Sequence, residues 1–292
     1  MNGLLNVNKP LGMTSHDVVN VVRRLTGVRR VGHTGTLDPL ATGVLLLLVG
    51  PSTRLARFFS GADKRYRAVI RLGEETNTYD TEGTVIERRP IAVEREQVET
   101  ALDDFRGEIR QIPPMYSAVK FKGQPLYVLA RQGKQVERKA RSVTIHALEM
   151  VAWHPPDITL DIHCSAGTYI RSLAHDLGQA LGCGGHLRTL VRTAVGRFTL
   201  EESITPEDLR ALAADGHLGE AIRPPSEILT LPALRLTEEQ VRAVRHGQEI
   251  QIDGAFDATE IQAHDPDGDF VAILIPLSHG RWRPNLVLTT PE

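Results

Sequence analysis

The stretch GHTGTLDPLATGVLLLLVG, residues 32–50, places a single carboxylate, Asp38, shortly before a strongly apolar run. The run GVLLLLVG is bounded by glycines, too short for a typical helix and apolar throughout. It therefore predicts a sheet strand that is covered on both faces. Asp38 precedes Pro39, a pattern that is also typical of a helix N-cap or a turn.

A second interpretation of Asp38 is chemical, because a lone aspartate can serve as a nucleophile. Such a carboxylate must stay ionised in a partly dry site, so a fixed cation should lie beside it. Arg171 is the candidate, since it falls in the first turn of a predicted helix in AGTYIRSLAHDLGQALG and off its apolar stripe. An ordinary surface arginine is the alternative. No second carboxylate lies near Asp38 in sequence, which weakens the interpretation of Asp38 as one of the two carboxylates, acid and base, that a glycosidase uses.

Charge is distributed unevenly along the 292 residues, although the formal net charge is only −2. Residues 1–75 hold eleven Lys and Arg against five Asp and Glu, and residues 117–145 hold seven against one. Two basic blocks in an otherwise acidic chain are typical of patches that bind a polyanion. A solvated surface that binds nothing is the alternative.

Cysteine and histidine spacing predicts no metal site. Only Cys164 and Cys183 are present, and the eleven histidines show no HxxxH or HExxH pattern. Two cysteines make no secreted disulfide framework, which favours a reducing compartment. The N-terminus lacks the apolar region of a signal peptide, and no apolar run is long enough to span a membrane. We therefore expect a cytoplasmic protein.

The chain is predicted to divide near residues 225–232, where PPSEILTLP marks a change of composition. Upstream, strands and amphipathic helices alternate, and the glycine- and lysine-rich block 117–145 has the composition of an excursion from the core. Helices are predicted in TSHDVVNVVRRL, STRLARFF and EREQVETALDDF. Downstream, one helix and several short strands predict a small β-rich module.

Two further residues are candidates for RNA contact. Tyr66 lies between Arg65 and Arg67 at the start of a predicted strand, and an aromatic ring flanked by cations suits base stacking with phosphate contact. A tyrosine packed at a sheet edge is the alternative. His33 is open between a general base, a metal ligand, a stacking ring and an uninvolved turn histidine.

Five long motifs occur in one order over about residues 1–200, and together they resemble the TruB family of bacterial tRNA pseudouridine synthases, which modify uridine 55 of the TΨC arm. The motifs are NKPLGMTS, GHTGTLDPLATGVL, RYRAVIRLGEETNTYDTEG, PPMYSAVKFKGQPLYVLARQG and CSAGTYIRSLAHDLG with HLRTLVRTAVGRF. One departure is GCGGHL, where the family commonly has Ala in place of Gly185. The last 60 or so residues resemble only weakly the family's small RNA-binding PUA domain, and that region is net acidic.

The resemblance implies an α+β fold: a pseudouridine synthase core with a central mixed or antiparallel sheet flanked by helices, and a small C-terminal β-barrel (PUA-like) module. The implied domains are a catalytic domain at 1–228, with an RNA-clamping thumb at about 117–145, and a PUA-like domain at 229–292. The expected substrate is the TΨC stem-loop of tRNA. We expect a monomer that works without a cofactor, a metal, a membrane or a guide RNA.

The resemblance also implies roles for individual residues. Asp38 matches the catalytic aspartate, Arg171 the arginine paired with it, and Tyr66 the tyrosine that stacks on the target base. His33 matches the histidine that helps the nucleotide flip out, while Tyr169 and Leu190 match residues that line the uridine pocket. The glycines of the second motif are expected to let the backbone approach RNA closely. The remaining expected substrate contacts are the basic residues Lys9, Lys64 and Arg65.

Three other functions remain as alternatives. A non-catalytic tRNA-binding or folding protein would not need Asp38 and Arg171 together. A guide-RNA-dependent synthase of the archaeal or eukaryotic kind usually carries basic extensions, which this chain lacks. A nucleoside glycosidase would need a second carboxylate and no thumb.

Overall fold

The apolar run after Asp38 forms a strand inside a mixed sheet. The computed structural model describes residues 1–134, 136–252 and 257–288. Residue 135 of the predicted thumb, and residues 253–256 and 289–292 of the predicted C-terminal domain, lie outside this description. In chain order the strands are β1 (Gly3–Lys9), β2 (Val31–His33), β3 (Ala41–Val49), β4 (Lys64–Leu72), β5 (Glu74–Thr76), β6 (Val85–Arg88), β7 (Gly107–Gln111), β8 (Lys120–Phe121), β9 (Gln124–Pro125), β10 (Arg141–His154), β11 (Asp157–Cys164), β12 (Gly185–Val195), β13 (Phe198–Thr199), β14 (Ala233–Arg235), β15 (Ile250–Gln251), β16 (Ile261–His264), β17 (Phe270–Pro276) and β18 (Arg281–Val287).

The main sheet has the strand order β1-β3-β12-β4-β11-β10-β7, with β2 paired to β3 and β13 paired to β12. Its pairs are antiparallel except for β3 and β12, which run parallel. The α-helices are α1 (Ser15–Thr26), α2 (Arg57–Ser60), α3 (Arg95–Asp103), α4 (Leu126–Arg131), α5 (Ile170–Ala180), α6 (Pro206–Ala214), α7 (Pro225–Ile228) and α8 (Glu238–Arg245). None of the helices within the described ranges is both long and apolar enough to cross a membrane.

Strand β3 is buried on both faces, as its sequence predicts. Leu45 and Leu47 belong to a core with helices α1 and α5, whereas Leu46 and Leu48 belong to a second core that includes Ile273 of strand β17. Side chains alternate between the two faces of a strand, so an unbroken leucine run can fill two cores. The strand behind Asp38 is thereby fixed from both sides.

The C-terminal strands form a separate five-stranded sheet in the order β14-β16-β17-β18-β15, and helix α8 packs against it. This curled half-barrel and the mixed main sheet confirm the predicted fold class, including its PUA-like module. The boundary predicted between residues 228 and 229 stays a prediction. Helix α7 ends at Ile228, and the first strand of the second sheet begins at Ala233.

The predicted thumb lies between strands β7 and β10. It contains the small β8–β9 hairpin and helix α4, which begins after Pro125. The last residues of the predicted excursion, Arg141–Ile145, belong to β10 and pair with β7 in the main sheet, and the bounds of the thumb stay a prediction. Four exposed lysines lie in this excursion, namely Lys120, Lys122, Lys134 and Lys139.

Two local predictions need correction. The stretch STRLARFF does not form one helix. A 3₁₀ helix (Gly50–Leu55) is followed by Ala56 and then by the single turn of α2. The change of direction between the two helical segments buries both Leu55 and Phe59. Asp38 is not a helix N-cap, because strand β3 follows it. Its carbonyl accepts a hydrogen bond from the backbone N–H of Ala41 at 3.0 Å, so the Asp38–Pro39 pair forms a turn.

Gly43 is required by packing within the protein. Its φ is +101°, a conformation that side chains rarely adopt, and an added Cβ would overlap the carbonyl oxygen of Arg192 on strand β12. We expected the backbone of this glycine to approach RNA closely, but it approaches the backbone of the neighbouring strand β12 instead. Gly32, in contrast, has open space where an added Cβ would lie.

We predict that Gly43→Ala lowers the free energy of unfolding by at least about 2 kcal/mol, because backbone strain and the overlap with β12 add together. Equilibrium urea denaturation measures this loss. Gly32→Ala is the matched control and should stay within about 1 kcal/mol of the wild type. Equal stability of the two variants would contradict the packing requirement at Gly43.

Candidate active site

Asp38 lies in the loop between strands β2 and β3, and this loop is anchored to the start of helix α1. The hydroxyl of Ser15 donates to the carbonyl of Leu37 at 2.9 Å and accepts from the backbone N–H of Leu37 at 2.8 Å. Helix α1 is itself fixed by a capping box between Thr14 and Asp17. The residue before Asp38 is therefore held by two buried hydrogen bonds.

Lys9 supports the same loop from beneath. Its side chain is fully buried, and its Nζ donates to the carbonyl oxygens of Met13 at 2.6 Å, Pro10 at 3.0 Å and Pro39 at 3.5 Å. Burial lowers the pKa of Lys9 from 10.5 to about 8, although Asp38 opposes the shift. The expectation that Lys9 contacts the substrate needs correction, because its ammonium is directed at the protein's own backbone.

The carboxylate of Asp38 meets the guanidinium of Arg171, with Oδ2 and Nη2 2.9 Å apart. Arg171 lies in the first turn of α5 and only 7% of its side chain is exposed, whereas 40% of the Asp38 side chain is exposed. The alternative of a surface arginine is therefore wrong. Sequence places these residues 133 positions apart, and the fold joins them in one ion pair.

Arg171 is held by three further acceptors. Its Nη1 donates to the carboxylate of Asp80 at 3.3 Å and to the carbonyl of Thr78 at 3.4 Å, and its Nη2 donates to the carbonyl of Tyr116 at 2.7 Å. Asp80 is 4% exposed in its side chain and receives the Thr78 hydroxyl and the Glu82 N–H. A buried guanidinium needs such partners, and they also fix its direction toward Asp38.

The electrostatic balance at Asp38 has opposing causes. Burial raises the pKa of Asp38 above its ordinary value, Arg171 lowers it, and the negative charge of Asp80 raises it again. The net effect is a raised pKa, which the charge of Arg171 limits.

Asp38 opens into a cleft of about 270 Å³, close to the lower end of the range of ligand pockets. Tyr66 forms part of the wall and is 9% exposed. Burial raises the pKa of the Tyr66 hydroxyl, against a hydrogen bond and charge from Arg192. The lining includes two aromatic rings, an aliphatic side chain and several donors, namely Tyr66, Tyr169, Leu190, Lys64, Arg171, Arg192 and Ser117.

Arg192 connects the cleft wall to the loop of Asp38. It is 2% exposed, and its guanidinium donates to the carbonyls of Val44 at 2.7 Å, Gly35 at 3.0 Å and Thr36 at 3.4 Å. The same side chain hydrogen-bonds Tyr66. Arg192 thus holds the tyrosine and the N-terminal half of the aspartate loop in one arrangement.

The predicted site residues separate into two groups. The fold brings Asp38, Arg171, Tyr66, Tyr169, Leu190 and Lys64 to one cleft. Lys64 Nζ also donates to the carbonyl of Ser60 at 2.9 Å, and burial lowers its pKa. Arg65, Lys9 and His33 are absent from the lining among the described residues.

Arg65 and His33 have different surroundings. Arg65 alternates with Lys64 and Tyr66 along β4 and is exposed on the opposite face of the sheet, which argues against the expected contact with substrate in the cleft. His33 ends strand β2 close to the aspartate loop and is half-buried. Its Nδ1 has no hydrogen-bond partner within the described part of the chain, and burial lowers its pKa. The exposed part of the ring is available for contact at the edge of the site.

Sequence reasoning did not single out Asp80, Arg192 or Ser117. Asp80 lies inside the motif RYRAVIRLGEETNTYDTEG, and Arg192 lies inside HLRTLVRTAVGRF. The family motifs therefore include both residues, but they do not reveal that these side chains support the site. Ser117, at the start of the thumb, lines the cleft together with Tyr169. Their contribution follows from contacts across long sequence separations.

Comparisons with known proteins agree with this fold. Residues 23–170 match the TruB family pseudouridylate synthase (N terminal domain), and residues 171–230 match the tRNA pseudouridylate synthase B C-terminal domain. A relative from Dehalococcoides mccartyi, tRNA pseudouridine synthase B, is 47% identical over 97% of this chain and 95% of its own length. Its namesake from Yersinia pestis is 44% identical over 87% of this chain and 82% of its own.

Solved structures show the same fold. A chain from an H/ACA RNP bound to a substrate RNA containing 2′-deoxyuridine has a TM-score of 0.74 and 25% identity, and the match covers 99% of this chain and 85% of that one. A chain of a Cbf5-Nop10-Gar1 complex has a TM-score of 0.70 and 26% identity, covering 99% and 84%. Fold and cleft together define an isomerase of the pseudouridine synthase class. The chain belongs to the TruB family of pseudouridylate synthases, so the resemblance drawn from its motifs is confirmed.

We predict a pH-dependent stability that originates at Lys9. Between its folded pKa of about 8 and its unfolded value of 10.5, the unfolded chain still binds a proton that the folded chain has released. The free energy of unfolding should therefore rise with pH through this window, relative to Lys9→Met, by at most about 3.4 kcal/mol. Urea denaturation at pH values from 7 to about 10.5 measures the difference.

The control for Lys9 is Lys120→Met, which removes an exposed lysine. Its stability relative to the wild type should change little over the same pH range. A constant difference between the wild type and Lys9→Met across the window would show that Lys9 does not release its proton in the folded protein.

Proposed function

We propose that this protein converts uridine 55 in the TΨC arm of tRNA to pseudouridine. The observation that carries the proposal is the half-exposed carboxylate of Asp38, held 2.9 Å from the buried Arg171 in a cleft walled by Tyr66. Membership of the TruB family and near full-length relatives called tRNA pseudouridine synthase B support both the reaction and the substrate. The roles that follow for single residues are part of the proposal.

The reaction is an isomerisation in which every atom is retained. The N1–C1′ bond of uridine breaks, the uracil rotates, and a C5–C1′ bond forms. C5 then loses its proton and N1 carries one, so the balance requires neither an oxidant nor a second substrate. The chain has to expose the nucleotide, hold both fragments and supply a base for the proton.

Asp38 is the reactive carboxylate in this proposal. It either attacks C1′ to form a covalent sugar intermediate or stabilises positive charge at C1′ while the base departs. Arg171 favours the charged form of the carboxylate, because it lowers the pKa that burial raises. The anchored loop between Leu37 and Pro39 holds the carboxylate in position, which reduces reorganisation during the reaction.

The cleft supplies the contacts for a flipped nucleotide. A glycosidic bond inside a folded arm is inaccessible, so the uridine must leave the stack. Tyr66 provides a ring for the uracil to stack on, and Tyr169 and Leu190 complete an apolar pocket. His33, at the edge of the site, takes the space that the uridine leaves.

Binding of the RNA backbone is assigned to exposed cations around the cleft. The thumb carries most of them, and its first residues, Ser117 and Ala118, line the cleft directly. Lys64 adds a positive charge in the cleft wall. Lys9 is reassigned to support of the aspartate loop, because its ammonium is buried on backbone carbonyls.

Guide-RNA dependence is the second candidate, because the solved structures that share this fold include a chain of an H/ACA RNP. The relatives at 43–47% identity carry the name tRNA pseudouridine synthase B instead, and they favour a protein that acts alone. We propose a monomer that works in the cytoplasm on free tRNA. Incubating the purified chain with an unmodified tRNA transcript and no guide RNA, followed by mass spectrometry, tests this choice.

We predict that Asp38→Asn abolishes pseudouridine formation, with a loss of at least about a thousandfold, because the amide keeps the shape and removes the charge. RNA affinity should hold or rise, since a negative charge has left a site that faces phosphates. The unfolding free energy should change by less than about 2 kcal/mol, because Arg171 keeps its other acceptors. Tritium release or mass spectrometry measures turnover, and filter binding measures affinity.

Asp103→Asn, at the exposed end of helix α3, is the matched control and should retain full turnover. Substantial pseudouridine formation by pure Asp38→Asn, with deamidation and contamination excluded, would refute the catalytic role. The carboxylate would then serve only the turn before β3.

We predict that reversing the charge of the exposed thumb lysines weakens tRNA binding and flattens its salt dependence, because fewer counterions are released on binding. Each phosphate that the variant no longer neutralises should reduce the slope of log affinity against log salt by about 0.7–0.9. Filter binding across a salt series measures both effects. The four residues to be changed to Glu are Lys120, Lys122, Lys134 and Lys139.

The control reverses four exposed arginines outside the thumb and so makes the same change in net charge. A slope that falls equally in both variants would mean that the thumb lysines contribute only through overall charge. The control residues are Arg95, Arg210, Arg242 and Arg245.

A further inference from the structure

Three metal-ligand side chains meet outside the cleft, although they are far apart in sequence. Asp63 lies in the loop before β4, His146 in β10 and His163 in β11. Asp63 Oδ2 is 3.3 Å from Nε2 of His146 and 3.8 Å from Nε2 of His163, and one ligand atom from each residue lies within 4.8 Å of the other two. Within the described part of the chain, these three residues form the one group of three metal-ligating side chains whose ligand atoms lie this close together.

The fold directs these side chains to one surface. Strand register pairs Arg65 with His163 and Tyr66 with Ile162, so His163 lies on the face of the sheet opposite to Tyr66. His163 also pairs with Ala147, while Ile145 pairs with Cys164, which leaves His146 as the extra residue of a β-bulge. Bulges re-aim a side chain, and here the imidazole of His146 comes within 4.8 Å of the His163 ring, measured between centroids.

Asp63 is also fixed in place. Its carbonyl accepts a hydrogen bond from the backbone N–H of Gly196 at 2.8 Å, which anchors its loop to the end of strand β12. The carboxylate is half-exposed and, apart from the two imidazoles, no hydrogen bond or ion pair to its side chain is seen within the described residues. A carboxylate beside two imidazole nitrogens provides three atoms that can coordinate one metal ion.

The spacing of the ligand atoms is close to what a metal requires. Metal–ligand distances of about 2.0–2.2 Å in a tetrahedral site separate neighbouring ligand atoms by about 3.4 Å. The Asp63–His146 separation of 3.3 Å already meets this value, and the Asp63–His163 separation exceeds it by a few tenths of an ångström. The third separation, between the two imidazole nitrogens, lies within 4.8 Å, so rotation of the half-exposed side chains has to bring these two atoms closer.

The chemistry of the donors selects the class of ion. Two imidazole nitrogens and one carboxylate suit zinc and its first-row neighbours, whereas magnesium and calcium prefer oxygen ligands only. Arg65 lies on the same face, and its positive charge opposes tight binding of a cation.

We propose that Asp63, His146 and His163 bind one divalent transition-metal ion of the zinc class, with water completing its coordination. The ion would join the loop before β4 to the β10–β11 pair on the face opposite to the cleft. It is therefore a structural site, separate from the proposed chemistry at Asp38. Spacing motifs could not predict it, because its ligands lie on three elements.

The test is calorimetric titration of the purified, tag-free protein with zinc chloride after removal of metals by a chelator and dialysis. We expect one ion per chain with micromolar affinity, and no displacement by excess Mg²⁺. His146→Ala, His163→Ala and Asp63→Asn should each weaken binding at least about tenfold. His217→Ala is the control, because His217 forms an exposed pair with Glu220 that offers a metal only two ligands. This variant should leave the zinc affinity unchanged.

Thermal unfolding gives an independent measurement. Zinc at saturating concentration should raise the Tm of the wild type and of His217→Ala, and should not raise the Tm of the three cluster variants, whose circular dichroism confirms folding. Absence of stoichiometric binding, or binding and a Tm increase that survive all three cluster substitutions, would overturn the proposal. The result is independent of pseudouridine formation, which is measured separately.

Discussion

The buried guanidinium of Arg171 lies between two carboxylates, and the geometry of the cleft depends on it. Asp38 faces the cleft, and Asp80 is buried on the other side of the guanidinium. The backbone carbonyls of Thr78 and Tyr116 accept further hydrogen bonds from Arg171. A buried cation without such partners would be strongly destabilising, so the segments that supply them are constrained to approach helix α5. The same arginine lowers the pKa of Asp38 against the effect of burial, which links the packing of the core to the proposed chemistry.

The aspartate loop is held on several sides by buried polar side chains. Ser15 binds the backbone of Leu37, Lys9 binds the carbonyls beneath the loop, and Arg192 binds Gly35 and Thr36 while contacting Tyr66. Each of these side chains satisfies backbone groups that a turn leaves unpaired. The consequence is a carboxylate with little freedom to move, above a strand that two hydrophobic cores fix from both faces.

Strand β4 shows how one element serves two surfaces. Lys64 and Tyr66 face the cleft, while Arg65 lies on the other side, where its neighbour across the ladder is His163. Alternation along the strand separates the proposed RNA chemistry from the proposed metal site. Assignments made from sequence proximity alone therefore fail at Arg65, which is adjacent to Tyr66 in the chain but belongs to another surface.

Much of the fold and the main part of the site could be predicted from sequence, because local patterns encode them. The leucine run determined a strand buried on both faces, the segment TSHDVVNVVRRL determined helix α1, and the contiguous motifs identified Asp38, Tyr66 and Arg171. Only the tertiary structure decided that Lys9 is buried, that Asp80 and Arg192 support the site, and that Asp63 meets two histidines. These features depend on contacts between distant segments, whose geometry is set by strand register, by a β-bulge and by the packing of α5 against the sheet, and none of these leaves a periodic signal in the sequence.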